Sequence, residues 1–390
     1  MRRVVAQPGS APGRLSRRVV LAAPLLAACA HLPTDRREPA MRLGRLGWGV
    51  DPATGAVWTD AALRSKLASP TPDGLDRRLR DVATRAAATL DTPIVPVATL
   101  RTEGTLFTDP VHKASAAATA VLPDVFCWAV CARVAAPDLA ARCGKAARAA
   151  VDAWVATYRP SGNPIDENPL LPLLQAVDLL LPSTTADARA RAVAWVRELA
   201  RAGDAFYAPL RTTDTRTRNN WASWRYALRA VCATIAEDTE LVADTRKRAA
   251  MHAAQNVGAD GATFDFRERD ALHYHVYDLE ALAALVCFAP GAADAATVDA
   301  FARGLGFLEP YATVRATHVE FVNSPVPFDR QRREAGDPVF RNAPWDPKDA
   351  RGLLWLGDAL IPTAQSWTRA LRDEAAHPRT KLLAALRGAP

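Results

Sequence analysis

The sequence predicts an all-α protein, an α/α toroid: an incomplete barrel of helical hairpins forming a single large domain. Three observations point there. Apolar residues step by three or four, as in Trp221, Trp224, Leu228, Val231 and Ile235, and again in Leu272, Val276, Leu279, Leu282 and Val286, which lays one apolar stripe along each helix. Strong segments begin near Val121, Pro169, Asn220 and Ala271, at intervals of 48, 51 and 51 residues. A second helical stretch follows each, as at 186–202 and 238–256, and a two-helix unit of this kind must bury its stripe on its neighbours. Strand signals are nearly absent, the run His-Val-Glu-Phe-Val at 318–322 being the main exception. Stacked antiparallel hairpins close readily into a ring whose concave face supplies a groove.

In chain order, residues 1–28 read as an export signal. Arg17 and Arg18 precede an apolar run at 19–28, which Pro24 interrupts and which is too short to span a bilayer comfortably; Cys29 follows. Ser-Arg-Arg followed by Leu-Ala-Ala-Cys resembles a twin-arginine signal ending in a lipoprotein box. That resemblance implies export to the periplasm, lipidation at Cys29, and an outer-membrane lipid anchor as the only membrane contact. Residues 29–100 read as an N-terminal arm or lid with one clear helix at 75–90, and residues 101–390 as the toroid itself. Past Pro310 the periodicity blurs, and 323–347 reads as a long Pro-rich and Arg-rich loop folding over one end of the groove. Its arginines Arg330, Arg332 and Arg333 suit a solvated face or contact with an acidic polymer.

Removing residues 1–28 takes away five arginines and no acid, so the formal net charge falls from +7 to +2. A polyanion must then be held by local clusters and not by a global field. No nucleic-acid motif is present, and this charge gives no reason to expect such a partner. Five cysteines remain besides Cys29, an odd number. Cys127 and Cys131 sit one helical turn apart in an apolar segment, so buried reduced thiols are expected.

Two stretches carry chemistry. In Thr-Arg-Asn-Asn-Trp-Ala-Ser-Trp, Arg218, Asn219, Asn220 and Trp221 stand at a helix entrance, where asparagine also serves as an N-cap. In the stretch 260–282, Arg267 and Arg269 precede a helix with His273, Tyr274, His275 and Tyr277. Tyr274 lies about 200° around the wheel from Leu272 and Val276, away from the apolar stripe, and Arg267 shares its face if the helix runs on regularly. A tyrosine beside an arginine and an amide suits β-elimination from a uronic acid. The C5 proton is acidic only next to a neutralised carboxylate, and a phenol with an ordinary pKa of about 10 becomes a base only where positive charge favours the phenolate. His273 and His275 lie two apart on a helix and diverge, with no third ligand at a metal spacing, so neither a metal nor another cofactor is expected.

These stretches resemble the alginate lyase family, whose carboxylate-binding motif reads Asn-Asn-His-x-x-Trp where this chain has Asn219-Asn220-Trp221-Ala222-Ser223-Trp224. The family places an arginine seven positions before the tyrosine of Ala-Leu-x-Tyr-His; here Arg267 precedes Ala271-Leu272-His273-Tyr274-His275. The stretch 158–180 looks like the family's Thr-Gly-Asn-Pro-Ile-Asp-Glu loop and the helix after it. The resemblance implies that Asn220 binds the carboxylate, Arg267 stabilises charge and Tyr274 is acid and base. Asn163, Asp166, Arg218, Asn219, Trp221, His273 and His318 then contact the acidic polysaccharide. Trp221 stands where the family has a histidine, and His273, His275 and His318 are the candidates to replace it. In mannuronate and glucuronate the C5 proton and O4 lie on one face, so a single tyrosine serves both and these residues are the expected substrates. The alternatives are a non-catalytic polyuronate-binding or secretion protein of the same fold, and a glycoside hydrolase drawing on Asp265, Glu268 and Asp270, among which no carboxylate pair has a convincing spacing.

Overall fold

The computed structural model describes residues 43–47, 50, 57–68 and 74–387. The expected export signal and Cys29 lie outside them. The helices in chain order are α1 (Asp60–Ala68), α2 (Gly74–Thr89), α3 (Pro110–Ala120), α4 (Leu122–Val134), α5 (Pro137–Thr157) and α6 (Pro164–Glu167). Next come α7 (Leu171–Leu180), α8 (Ala186–Tyr207), α9 (Asn220–Ile235), α10 (Thr239–Asn256), α11 (Phe264–Arg269) and α12 (Leu272–Phe288). The chain ends with α13 (Ala295–Ala312), α14 (Pro327–Glu334), α15 (Arg351–Leu360), α16 (Gln365–Leu371) and α17 (Pro378–Leu386).

Four hairpins stand out: α4/α5, α7/α8, α9/α10 and α12/α13. Their first helices begin at Leu122, Leu171, Asn220 and Leu272, close to the expected positions. Along α4, α7 and α12 nearly every residue is buried, whereas α5, α8 and α10 keep an exposed polar face, as an inner and an outer layer require. The inner helices touch in sequence, α4 on α7, α7 on α9 and α9 on α12. Next, α15 packs on α12, and α17 packs on α15, α2 and α4, so the C-terminal helices carry the arc back toward its start. Gly304 of α13 lies against Leu279 of α12 with no room for a Cβ, which sets how closely that pair approaches.

Local chemistry starts the helices where the sequence suggests. Thr185, Asn219, Asp238, Thr263 and Asp294 each accept a hydrogen bond from a free amide in the first turn of α8, α9, α10, α11 and α13. The expected helix at 75–90 is α2, which packs on α4 and α17. The five described cysteines are free and buried. One expectation fails: 318–322 forms no strand, and Val319 makes only an isolated bridge to Pro344. The backbone there is spent on a turn instead, since Phe321 takes a left-handed φ of 60° and donates its amide to Asp270.

Candidate functional site

The site forms where α11 meets α12. Gly261, at φ 89°, makes a turn that the Val257–Thr263 bridge closes, and Thr263 then caps α11. Asp270 ends α11 in the left-handed region, φ 49° and ψ 49°. A non-glycine residue holds that conformation only when its surroundings over-determine it. Here the Asp270 carbonyl accepts from the Phe321 amide at 2.8 Å and its carboxylate accepts from the Asn323 amide and side chain at 2.9 Å. The carboxylate of Glu320 accepts from the free amides of Leu272 and His273, at 2.8 and 3.0 Å, at the start of α12.

This kink resets the helical phase, and the reset decides which arginine meets the tyrosine. The guanidinium of Arg269 lies 3.9 Å from the centre of the Tyr274 ring, and Arg332 of α14 donates to the Tyr274 hydroxyl at 3.2 Å. Arg269 is itself gripped by both oxygens of Asp329, at 3.1 and 2.8 Å, which fastens α14 over the site. Phe321, Phe340 and His273 complete the walls, leaving Tyr274 7% exposed. Burial pushes its phenol up to about 12, while Arg269 and Arg332 pull it back. Burial, with the same two guanidiniums, lowers His273 to about 4 and keeps it neutral.

Asn219 caps α9 by accepting from the Trp221 amide at 3.1 Å. Asn220 is buried, and both its amide and its side-chain nitrogen donate to Asp265, at 2.6 and 2.5 Å. Asp265 bonds in turn to Asp278, and two carboxyl groups so placed hold one proton. Burial first and the neighbouring Asp278 second raise Asp265 well above the carboxylate range, so Asp265 carries the proton and Asp278 the charge. The Asn220 carboxamide is thereby fixed in orientation.

A second wall comes from the loop after Leu100. Asp166 accepts from the Thr102 amide and hydroxyl and from the Glu103 amide, at 2.6, 3.0 and 2.8 Å. Burial raises the Glu103 carboxyl, with Arg332 opposing, Asp166 adding, and Arg269 and Arg216 opposing. Asn168 donates to the Tyr277 hydroxyl at 2.7 Å. Three arginines from three separate elements, Arg216, Arg269 and Arg332, thus bear on the Glu103 carboxyl.

Among the residues expected to act, Tyr274 and His273 meet here, and Asn220 is bonded to Asp265 of α11. Arg267 does not serve Tyr274: it is 52% exposed and pairs with Asp260. The expectation assumed an unbroken helix, and Asp270 breaks it. Tyr274 does not face open groove or solvent either, because the 318–340 segment folds over it. Trp221 stacks on Phe206 at 6.0 Å, and Arg216 lies 5.8 Å from its ring. Asn163 caps α6 through the Ile165 amide at 3.0 Å. His318 donates to the Asp270 carbonyl at 3.0 Å and packs on Phe266, bracing the kink. His275 sits in the core, accepting from Thr263 and donating to the Gly304 carbonyl at 3.0 Å, which leaves His273 as the histidine beside the phenol. Arg218 lies over Phe264. Sequence reasoning missed Arg269, Asp329, Glu103 and Arg216 as site members; Arg269 carried a signal in its place just before α12, and Arg332 in the basic run of the covering loop.

Comparison with known proteins agrees with this architecture. Residues 111–303 match the family model described as Alginate lyase. An alginate lyase from Bacteroides ovatus aligns over 83% of this chain and 96% of its own, at 14% identity and a TM-score of 0.53. Alginate lyase A1-III from Sphingomonas species A1 aligns over 83% and 94%, at 15% identity and a TM-score of 0.49. A variant of that enzyme complexed with tetrasaccharide aligns over 83% and 93%, at 18% identity and a TM-score of 0.49. No curated protein matches the chain. At 14% identity the likeness to the Bacteroides ovatus enzyme speaks for the fold alone, a helical toroid. Residues 111–303, which run from α3 into α13, thus match the alginate lyase family that the sequence motifs resemble.

Proposed function

We propose that the chain is a polysaccharide lyase that cleaves a polyuronate, of the mannuronate or glucuronate type, by β-elimination. The observation that carries this reading is the placement of Tyr274 between Arg269 and Arg332; on the neighbouring α9, Asp265 holds the Asn220 carboxamide in one orientation. In this mechanism the oriented Asn220 and the guanidiniums neutralise the C5 carboxylate and stabilise the enolate-like intermediate. Tyr274, as phenolate, takes the C5 proton and returns it to O4 as the glycosidic bond breaks, leaving an unsaturated sugar at the new non-reducing end. The two guanidiniums favour the phenolate by charge, the role once expected of Arg267. His273, neutral and packed on the phenol ring, is not needed as a second base, which fits substrates whose C5 proton and O4 share a face.

A second reading, a polyuronate-binding protein without turnover, draws support from the same cover: Arg332, Phe321 and Phe340 enclose the phenol, and substrate must displace part of that wall. One assay separates them. Incubated with poly-mannuronate, alginate, glucuronan and hyaluronan, a lyase raises ultraviolet absorbance and reducing ends together. A hydrolase raises reducing ends alone, and a binder raises neither while being retarded in polysaccharide gels. Tyr274→Phe is expected to abolish turnover with little loss of binding; full activity in that variant removes Tyr274 from the mechanism. We further propose export to the periplasm through residues 1–28 with lipidation at Cys29, which metabolic labelling with a fatty acid and a Cys29→Ala control would test.

A further inference from the structure

A second cleft, of about 780 Å³, opens between the 207–217 loop, α9 and the C-terminal half of α10. Its lining combines Arg218, Arg225, Tyr226, Arg248, His252 and Gln255. Four buried polar atoms of lining side chains have no hydrogen-bond partner: Tyr207 Oη, Arg218 Nε, Arg225 Nε and His252 Nδ1. Such unfilled capacity is costly inside a folded protein, and its concentration around one cleft marks a place prepared for a ligand.

The hydrogen bonds say what kind. Ser223 gives its hydroxyl proton to Asp278 at 2.5 Å, so its oxygen must accept from His252 Nε2, which lies 2.7 Å away. His252 is 4% exposed and therefore holds its proton on Nε2, leaving Nδ1 as a bare acceptor that calls for a hydroxyl donor. Arg225 is paired with Asp204 and Arg248 with Asp244, whereas Arg218 lies over the Phe264 ring, 5.2 Å away, and feels the Glu268 carboxylate without forming a salt bridge among the described residues. The cation without a salt bridge calls for an anion. Tyr226 and Phe264 add flat apolar faces. A hydroxyl, a carboxylate and a ring of moderate polarity coexist in an acidic sugar.

We propose that this cleft is a second uronate-binding site, in which Arg218 takes a sugar carboxylate and His252 Nδ1 accepts from a sugar hydroxyl. It holds a part of the polymer away from the bond being broken, and its choice of ligand rests on the polyuronate reading above. The test uses the full chain carrying Tyr274→Phe, titrated calorimetrically with a mannuronate disaccharide, and the same chain with Arg248→Glu and Gln255→Trp, both exposed positions at the cleft. The expected result is two binding events per chain, of which the added pair of substitutions removes one. In the otherwise native chain, the pair is expected to leave kcat on a short oligosaccharide within twofold while raising KM for long polymer at least fivefold. A single binding event that the pair leaves untouched overturns the second site and spares the lyase reading. Absence of all uronate binding overturns both, and equal binding of a neutral disaccharide at the cleft overturns its assignment to an acidic sugar.

Discussion

Tyr274 shows how a side chain acquires a role from neighbours far away in the chain. Burial alone moves a phenol away from ionisation, and here two guanidiniums oppose it. Losing Arg332 removes one of these, so the phenol titrates higher and a smaller fraction is phenolate at any given pH. Arg332→Ala is therefore expected to shift the alkaline rise of kcat/KM to higher pH and to lower the rate at pH 7.5 by roughly 10- to 100-fold, with Arg332→Lys recovering part. An unshifted profile would detach Arg332 from the phenol. The neighbouring arginines give a sharper contrast. Arg269→Ala is expected to abolish turnover, whereas Arg267→Ala, whose guanidinium faces Asp260, stays within about threefold of the parent in the same assay. The reverse ranking would restore the phase that an unbroken helix implies.

At the scale of elements, the site depends on a short kink and the segment that covers it. The Asp329 side chain is 1% exposed and Arg269 15%, and together they clamp α14 to α11, with Ser324 adding a bond to Asp329 at 2.6 Å. Removing the acid leaves a buried cation alone, which costs more than the pair itself contributes. Asp329→Ala is expected to lower stability by about 3–5 kcal/mol in urea denaturation and to loosen 318–340, seen as faster amide exchange there. An unchanged midpoint would mean that the cover is held by its aromatic contacts alone. This clamp was not legible in the sequence. Arg269 and Asp329 stand 60 residues apart, in a stretch whose periodicity has faded, and nothing in local spacing pairs them. The capping of α9 and α11 was legible, because a cap is settled by residues within one turn of each other.

Across the molecule, buried titrating groups oppose one another. His252, His273 and His275 are lowered by burial to about 3, 4 and 4, so the unfolded chain takes up their protons first as pH falls through about 6.5. They favour the fold above that pH and withdraw support below it. Asp178, Asp278 and Glu320 are raised by burial to about 6 and Glu280 to about 7, so the folded chain takes up these protons first, and their destabilising effect at neutral pH fades on acidification. The three histidines pull one way, and these four acids, joined by Asp265, pull the other. The melting temperature is expected to stay nearly level between pH 7 and pH 5, within about 3 °C by calorimetry. A steep fall over that interval would show that the buried acids do not carry their protons as described.

The sequence by itself determined the helices, their pairing into hairpins, the spacing of their inner members and the amide-bearing start of α9. All of these follow from periodicity and capping, which act over three or four residues. Only the tertiary structure decided that Arg269 and not Arg267 meets Tyr274, that Arg332 reaches the phenol across 58 residues, and that Asp265 holds Asn220 from 45 residues away. One left-handed residue, Asp270, is enough to reset a helical phase, and it is held there by a loop some fifty residues downstream. A local pattern carries no record of that support.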